Sequence, residues 1–306
     1  MSSIVQNFPK ILELKKLIMH TSETVWKHEI TEKEIDKWLD NFSGEVLSRD
    51  EEKVFALWLL VNFVYYNEDE VLHLCRVLMK DFIHKELIDM KTQQDEIDKY
   101  LSEIFSKTRF LLLGKPSESG GYILYYFRQV NDLNISYFNP PQSNDLELID
   151  NLVFIDDVTL TAGPDGQAYK QLKRYTELYK DKRIILLTLI ASESSIIEFR
   201  RIGVEVITTV SLDERNKCFC ANSDIFHAYP NYIETCKKFA LHYGNKIDRE
   251  WPLGYENGEY VFGFFYNTPD NTLPIFWGTS NGWHPIFKRY DKNYERKNLV
   301  MHERFL

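Results

Sequence analysis

The run Asn151-Leu152-Val153-Phe154-Ile155-Asp156-Asp157-Val158-Thr159-Leu160-Thr161-Ala162-Gly163-Pro164-Asp165-Gly166 decides the fold. Leu152 to Ile155 are four apolar residues and read as a buried strand. Two adjacent carboxylates stand at its carboxyl end. A short loop of hydroxyl residues and glycine then leads into a helix predicted over 167–179, with Ala168, Leu172, Tyr175 and Tyr179 on one face. Backbone N–H groups at a helix N-terminus, with the positive end of the macrodipole, bind phosphate. The hydroxyls of Thr159 and Thr161 add donors, and Gly163 lets the backbone approach closely. Asp156 and Asp157 can accept hydrogen bonds from vicinal ribose hydroxyls, or hold Mg2+ directly or through water. Carboxylates for a sugar beside an N–H nest for a phosphate describe a ribose 5-phosphate site.

Working outward, strand and helix alternate on both sides of this run. Strands are predicted at 109–113, 134–138, 183–190 and 204–210, and helices at 122–130 and 195–202. Such alternation implies an α/β fold with a parallel sheet covered by helices, whose ligands sit at the carboxyl ends of the strands. Beyond residue 210 a helix is predicted at 231–245 and strands at 259–266 and 273–277. Upstream, residues 1–106 read as a helical N-terminal domain, and 107–306 as the α/β domain with a C-terminal hood. Thr31-Glu32-Lys33-Glu34 and Ser48-Arg49-Asp50-Glu51 are capping boxes. Asn67-Glu68-Asp69-Glu70 opens a third helix, and residues 93–106 suggest a fourth. This region reads either as a partner-binding or dimerising module or as a helical cap on the second core.

Composition narrows the class. The chain has 306 residues and a net charge of −9, with residues 1–106 carrying −8 of it. Electrostatic clamping of duplex DNA is therefore disfavoured. Four cysteines are too few for a disulfide scaffold. The longest apolar run, Val54 to Tyr66, contains Asn62 and falls short of the ~20 residues that cross a bilayer. The first residues lack the apolar core of a signal peptide. A cytoplasmic protein without a membrane segment is expected.

The strand, acidic pair and Thr/Gly loop resemble the fingerprint of the type I phosphoribosyltransferases. The resemblance implies that phosphoribosyl pyrophosphate binds there with Mg2+. Asp156 and Asp157 would contact the ribose hydroxyls and the metal, and Thr159, Thr161, Ala162 and Gly163 would wrap the 5-phosphate. The loop departs from the family pattern at Leu160, Ala162 and Pro164. A second segment, Arg109 to Gly121, is strand, Gly/Ser loop and helix. In that family a loop at this place binds the pyrophosphate, which casts Lys115, Ser117, Ser119, Gly120 and Gly121 in that role. The long mobile loop of active members is absent, since only 139–147 precedes the acidic strand.

The helical N-terminal region, the two loops, Asn271 to Trp277 and Trp283 to Arg289 together are similar to the phosphoribosyltransferase-like proteins of prokaryotic conflict systems. Many of these are encoded beside reverse transcriptases, as in retrons, or beside other anti-phage components. That resemblance implies an effector that cleaves or transfers at ribose C1, or an inactive sensing or partner-binding module. It also implies partner proteins of the same system, a reverse transcriptase or RNA, and a possible homo-oligomer.

Plainer readings stand beside these. An acidic pair ending a strand also occurs in receiver domains and phosphatases, but the position after Asp157 is Val158, not the second Asp of an Asp-x-Asp motif. Cys218, Cys220, His227 and Cys236 lack the spacing of most zinc sites and read as buried thiols. His284 beside Trp283 can contact a base, although the segment reads more simply as a hood over the sheet edge. Lys288, Arg289, Lys292, Arg296 and Lys297 form a basic tail, read as a solvated surface or a contact for nucleic acid or an acidic partner.

Overall fold

The computed structural model describes residues 8–87, 94–141 and 146–290. The capping boxes form as the sequence predicts. The Thr31 N–H donates to the Glu34 carboxylate at 2.7 Å, and the Ser48 N–H donates to Glu51 at 3.2 Å. They start α2 (Glu32–Leu39) and α3 (Arg49–Val61), after α1 (Ile11–Thr24). Helix α3 stops where the Asn62 side chain donates back to the Trp58 carbonyl at 2.8 Å. The end of the apolar run then becomes a strand, β1 (Val64–Tyr66), followed by α4 (Glu68–Leu87) and α5 (Gln94–Ser106). Residues 1–106 are therefore not all helical. Residue 93 of the expected fourth helix lies outside the described residues.

The α/β part follows as β2 (Thr108–Leu112), α6 (Ser119–Val130), β3 (Asn151–Thr159), α7 (Gln167–Leu178), β4 (Arg183–Ser192), α8 (Glu193–Arg201) and β5 (Val204–Leu212). The four strands form one parallel sheet in the order β2-β3-β4-β5. Period-two alternation sends Phe110, Val153, Ile155, Ile185 and Leu187 to one face, against α4 and α6. Leu111, Leu152, Phe154, Ile184 and Leu186 go to the other, against α7 and α8. All four carboxyl ends lie along one edge.

After β5 come α9 (Ile233–Ile247) and β6 (Phe262–Phe264), and β6 pairs in parallel with β1. A third apolar cluster joins α1–α3 to residues 218–287. Apolar residues from both sides of residue 106 thus share two of the three clusters. Two expected strands are short 3-10 turns instead. At Ile135–Phe138 the Asn134 side chain accepts from the Ser136 N–H at 2.9 Å and bends the chain. At Pro274–Phe276 the proline ring fixes a helical φ and has no N–H to donate. Trp283 does not cover the sheet edge. Its ring lies 5.4 Å from Phe42 and its indole N–H donates to the Ile275 carbonyl, because this aromatic segment completes the cluster around α2 and α9. Among the described residues no helix is long and apolar enough to cross a membrane.

Candidate functional site

Strand β3 carries Asp156 and Asp157 to the carboxyl edge and continues through Val158 and Thr159, which pair with Ile190 and Ala191 of β4. The turn beyond is fixed from below. Ser195 Oγ donates to the Thr159 carbonyl at 2.6 Å, and Ser192 Oγ donates to the Leu160 carbonyl at 2.9 Å. Leu160, 5 % exposed, anchors the chain in the core. It follows directly on the end of β3 and is packed into the core, so it is not an insertion in the exposed loop. The accessible loop is therefore 161–166, starting two residues later than the sequence suggests. Thr159 is buried, and its Oγ1 has no hydrogen-bond partner among the described residues.

Two helix N-termini line the cleft of the acidic pair: α6 touches it through Ser119 and Gly120, and α7 opens onto the same cleft. Helix α6 has Glu118 and α7 has Gly166 at the N-cap position, neither making a side-chain cap bond, and neither first turn carries an acid. Their first N–H groups lack intrahelical partners, and their dipoles favour an anion. Gly120 allows the close approach of α6: a Cβ there would lie 2.9 Å from the Leu113 carbonyl and 3.2 Å from Asp156 Oδ1. Gly121 is packed just as tightly, but against the Pro116 carbonyl. The loop before α6 turns at Gly114, whose φ of +85° suits glycine. The Gly114 N–H donates to Gln171 of α7 at 3.0 Å, which ties this loop to α7. The Lys115 N–H donates to the Glu118 carboxylate at 3.0 Å.

Asp157 is held by three donors. Ser119 Oγ and the Val158 N–H reach Oδ1 at 3.1 and 2.9 Å, and the Tyr266 hydroxyl reaches Oδ2 at 3.0 Å. Asp156 Oδ1 accepts from the Asp157 N–H at 3.0 Å. Burial pushes the Asp156 carboxyl well above the usual carboxylate range, and the neighbouring Asp157 charge adds to the rise. Burial also raises Asp157, while its hydrogen bonds oppose the rise. Burial, then the Asp157 charge, raises Tyr266 as well, so its phenol stays a donor.

These elements enclose a cleft of about 720 Å3. Asp156, Asp157, Thr159, Thr161, Gly163, Lys115, Ser117, Ser119 and Gly120 all line it. Gly121 and Ala162 do not. Ala162 packs beside the apolar residues under α7. The far wall is C-terminal: Tyr255, Glu256, Asn267, Asp270, Asn271 and Arg289. Of this wall the sequence singles out only Asn271 and Arg289, in the segments 271–277 and 283–289; Tyr255, Glu256, Asn267 and Asp270 were missed, since no motif marks them. Tyr266, just past β6, was missed for the same reason. Glu256 reaches across, its Oε1 being 3.9 Å from where a Cβ on Gly163 would stand. Of the basic tail, Lys292, Arg296 and Lys297 lie outside the described residues. Cys218 and Cys236 are buried among apolar residues.

Five carboxylates and two cations, Lys115 and Arg289, line the cleft. A polyanionic ligand entering it needs positive counter-charge. Among the described residues no group of three or more His, Cys, Asp or Glu could hold a metal ion. Two carboxylates fit Mg2+ nonetheless, because that ion takes one or two protein carboxylates and completes its shell with water and phosphate oxygens.

A parallel sheet with an acidic pair between two open helix N-termini at its carboxyl edge is the make-up of a phosphoribosyltransferase-like protein. The family model for PRTase-CE matches residues 35–289, and the chain belongs to that family. The match spans both the sheet and the C-terminal wall. No curated protein and no solved structure matches the chain.

Proposed function

We propose that the cleft binds phosphoribosyl pyrophosphate with Mg2+ and breaks the bond at ribose C1. The N-termini of α6 and α7 lining one cleft with the Asp156–Asp157 pair carry this reading. Backbone N–H groups between 161 and 169 would receive the 5-phosphate, except at Pro164, which has none, and Gly166, which donates to the Gly163 carbonyl at 2.9 Å; the carboxylates would receive the ribose hydroxyls. The 114–120 loop and Lys115 would face the pyrophosphate. Asp156, whose carboxyl has fewer donors than that of Asp157, would hold the metal with substrate oxygens and water. When bound, Mg2+ supplies charge neutralisation to the departing pyrophosphate. That group leaves with the electron pair of the C1–O bond. A lone pair of the acceptor (a base, a nucleic-acid end, a protein side chain or water) closes on C1, and the proton the acceptor gives up passes to the released pyrophosphate or to solvent. The open dipoles of α6 stabilise negative charge as it gathers on the leaving group. The C-terminal wall serves as the hood.

The motif resemblance extends the proposal to an effector of a prokaryotic anti-phage system. Its partners there would be proteins of the same system, or a reverse transcriptase with its RNA, and the acidic N-terminal region is one surface for them or for a second copy. Release of pyrophosphate from phosphoribosyl pyrophosphate, lost in Asp157→Asn, tests the reaction. No release by folded wild type under a range of acceptors would refute it.

One set of contacts favours a second reading, a sensor without turnover. Both Asp157 oxygens are already bonded within the chain, and the Lys115 amide is taken by Glu118. Tyr266 follows β6, which pairs with β1 of the N-terminal region. A ligand that displaced the Tyr266 hydroxyl would be felt at β1. Tight binding with no pyrophosphate release would select this reading.

A further inference from the structure

Among the described residues Arg289 is the one arginine lining the cleft, and the reading above gives it no role. Its backbone is fixed on both sides: Thr268 donates to the Lys288 carbonyl through its N–H (3.1 Å) and its hydroxyl (2.9 Å), and the Tyr290 N–H donates to Asn267 Oδ1 at 3.1 Å. Its guanidinium lies 5.0 Å from the centre of the Trp277 ring, which closes one of its faces. Nη1 donates to the Thr268 carbonyl at 2.6 Å and Nη2 to Asp270 Oδ2 at 2.9 Å. A guanidinium has five N–H donors in a planar fork. Three of them therefore have no partner among the described residues. The side chain is only 14 % exposed, whereas its counter-ion Asp270 is 41 % exposed. A buried, pre-oriented fork with spare donors, beside a carboxylate free to move into water, is built to exchange that carboxylate for another anion.

We propose that Arg289 forms an anion subsite on the C-terminal wall of the cleft that takes a phosphoryl group, with Asp270 as its resident counter-ion. The proposal deepens the phosphoribosyl reading of the cleft by adding a second anion contact, remote in sequence from the 161–169 amides. The phosphoryl group is either the pyrophosphate end of phosphoribosyl pyrophosphate or a phosphate carried by the acceptor. Both present the same coplanar oxygens to the fork.

Calorimetric titration of the full chain in Mg2+ distinguishes them. The probes are ribose 5-phosphate, inorganic pyrophosphate, phosphoribosyl pyrophosphate and adenosine monophosphate. Loss of a charge-assisted fork in Arg289→Gln weakens the group it holds by roughly 10- to 100-fold. Weakening of pyrophosphate and phosphoribosyl pyrophosphate, with ribose 5-phosphate unchanged, assigns the subsite to the leaving group. Weakening of adenosine monophosphate alone assigns it to the acceptor. Asp270→Asn frees the fork and tightens the same probe several-fold, a gain that a variant damaged in folding does not show. Arg289→Lys keeps the charge without the fork and falls between wild type and Arg289→Gln.

Equal binding of every probe by Arg289→Gln and wild type overturns the subsite and leaves Arg289 a clamp on residues 267–270. Weakening of all probes alike, ribose 5-phosphate included, also overturns it. Failure of wild type to bind ribose 5-phosphate and phosphoribosyl pyrophosphate refutes the phosphoribosyl reading instead. Pyrophosphate binding that still depends on Arg289 would then leave the subsite standing, and its loss there too would remove both.

Discussion

Adding one methyl at Gly163 separates a ligand contact from a folding contact. The nearest heavy atom to a Cβ there is Glu256 Oε1 at 3.9 Å, an ordinary van der Waals distance, and the residue is not among those with positive φ. Alanine therefore fits the free protein. Its restriction of the unfolded chain adds about 0.4–1 kcal/mol of stability. At about 2 °C per kcal/mol for a chain of this size, the melting temperature rises by about 1–2 °C. A phosphate in the 161–169 nest must approach the backbone to about 2.8 Å, and the methyl holds it off. Loss of one or two charge-assisted bonds is worth about 1.5–3 kcal/mol each, so affinity for phosphoribosyl pyrophosphate falls at least ~10-fold.

Gly120→Ala is the control. Its methyl would stand 2.9 Å from the Leu113 carbonyl, about 0.5 Å inside the 3.4 Å limit of ordinary contact, with Asp156 Oδ1 at 3.2 Å. Overpacking of this kind costs about 1–3 kcal/mol, so this variant melts lower and binds worse. Differential scanning calorimetry and calorimetric titration on both variants read the two effects. The reasoning fails if Gly163→Ala binds phosphoribosyl pyrophosphate like wild type, or if it loses stability as Gly120→Ala does.

The acidic pair gives a pH signature. The Asp156 carboxyl is raised in the folded state, so its stabilising effect is complete below the unfolded value near 4 and is lost as pH climbs through the folded value. Asp156→Asn does not titrate and retains the Oδ1 that accepts from the Asp157 N–H. It should therefore gain melting temperature on wild type between pH 5 and 8.5; a difference that is flat with pH would contradict the burial of this carboxyl. Glu52, fully buried, accepts from the N–H groups of Gly44 (2.6 Å) and Val46 (2.8 Å) and from the Tyr243 hydroxyl (2.6 Å), which joins α3 to α9. Tyr243→Phe should cost about 1–3 kcal/mol by denaturant melts, with a coupling to Glu52→Gln of at least ~1 kcal/mol in a double-mutant cycle; additive effects would remove the bond from the account.

Local signals made much of the fold legible. The hydroxyl–carboxylate boxes at Thr31 and Ser48 satisfy their own backbone, and the short apolar run 152–155, followed by the acidic pair and the glycine loop, reads as a buried strand. The two carboxylates and the glycine loop were legible because their chemistry is contiguous in the chain. Contacts distant in sequence were not. Val64–Tyr66 became a strand because Asn62 ended α3 and Phe262–Phe264 offered an edge nearly two hundred residues away. Nothing around Tyr266 or Arg289 advertises that each turns toward the cleft. The strand expected at 134–138 failed because one asparagine side chain outcompeted the sheet for a backbone N–H.

The central claim is that the Asp156–Asp157 cleft holds a phosphoribosyl group. The most direct measurement is the melting temperature of wild type and Asp156→Asn/Asp157→Asn, each with and without phosphoribosyl pyrophosphate and Mg2+. At about 100 times its dissociation constant a ligand adds about 2.7 kcal/mol, or about 5 °C here. The account predicts that shift in wild type and none in the double variant, whose own melt stays cooperative. No shift in wild type at millimolar ligand, or an equal shift in both proteins, would contradict it.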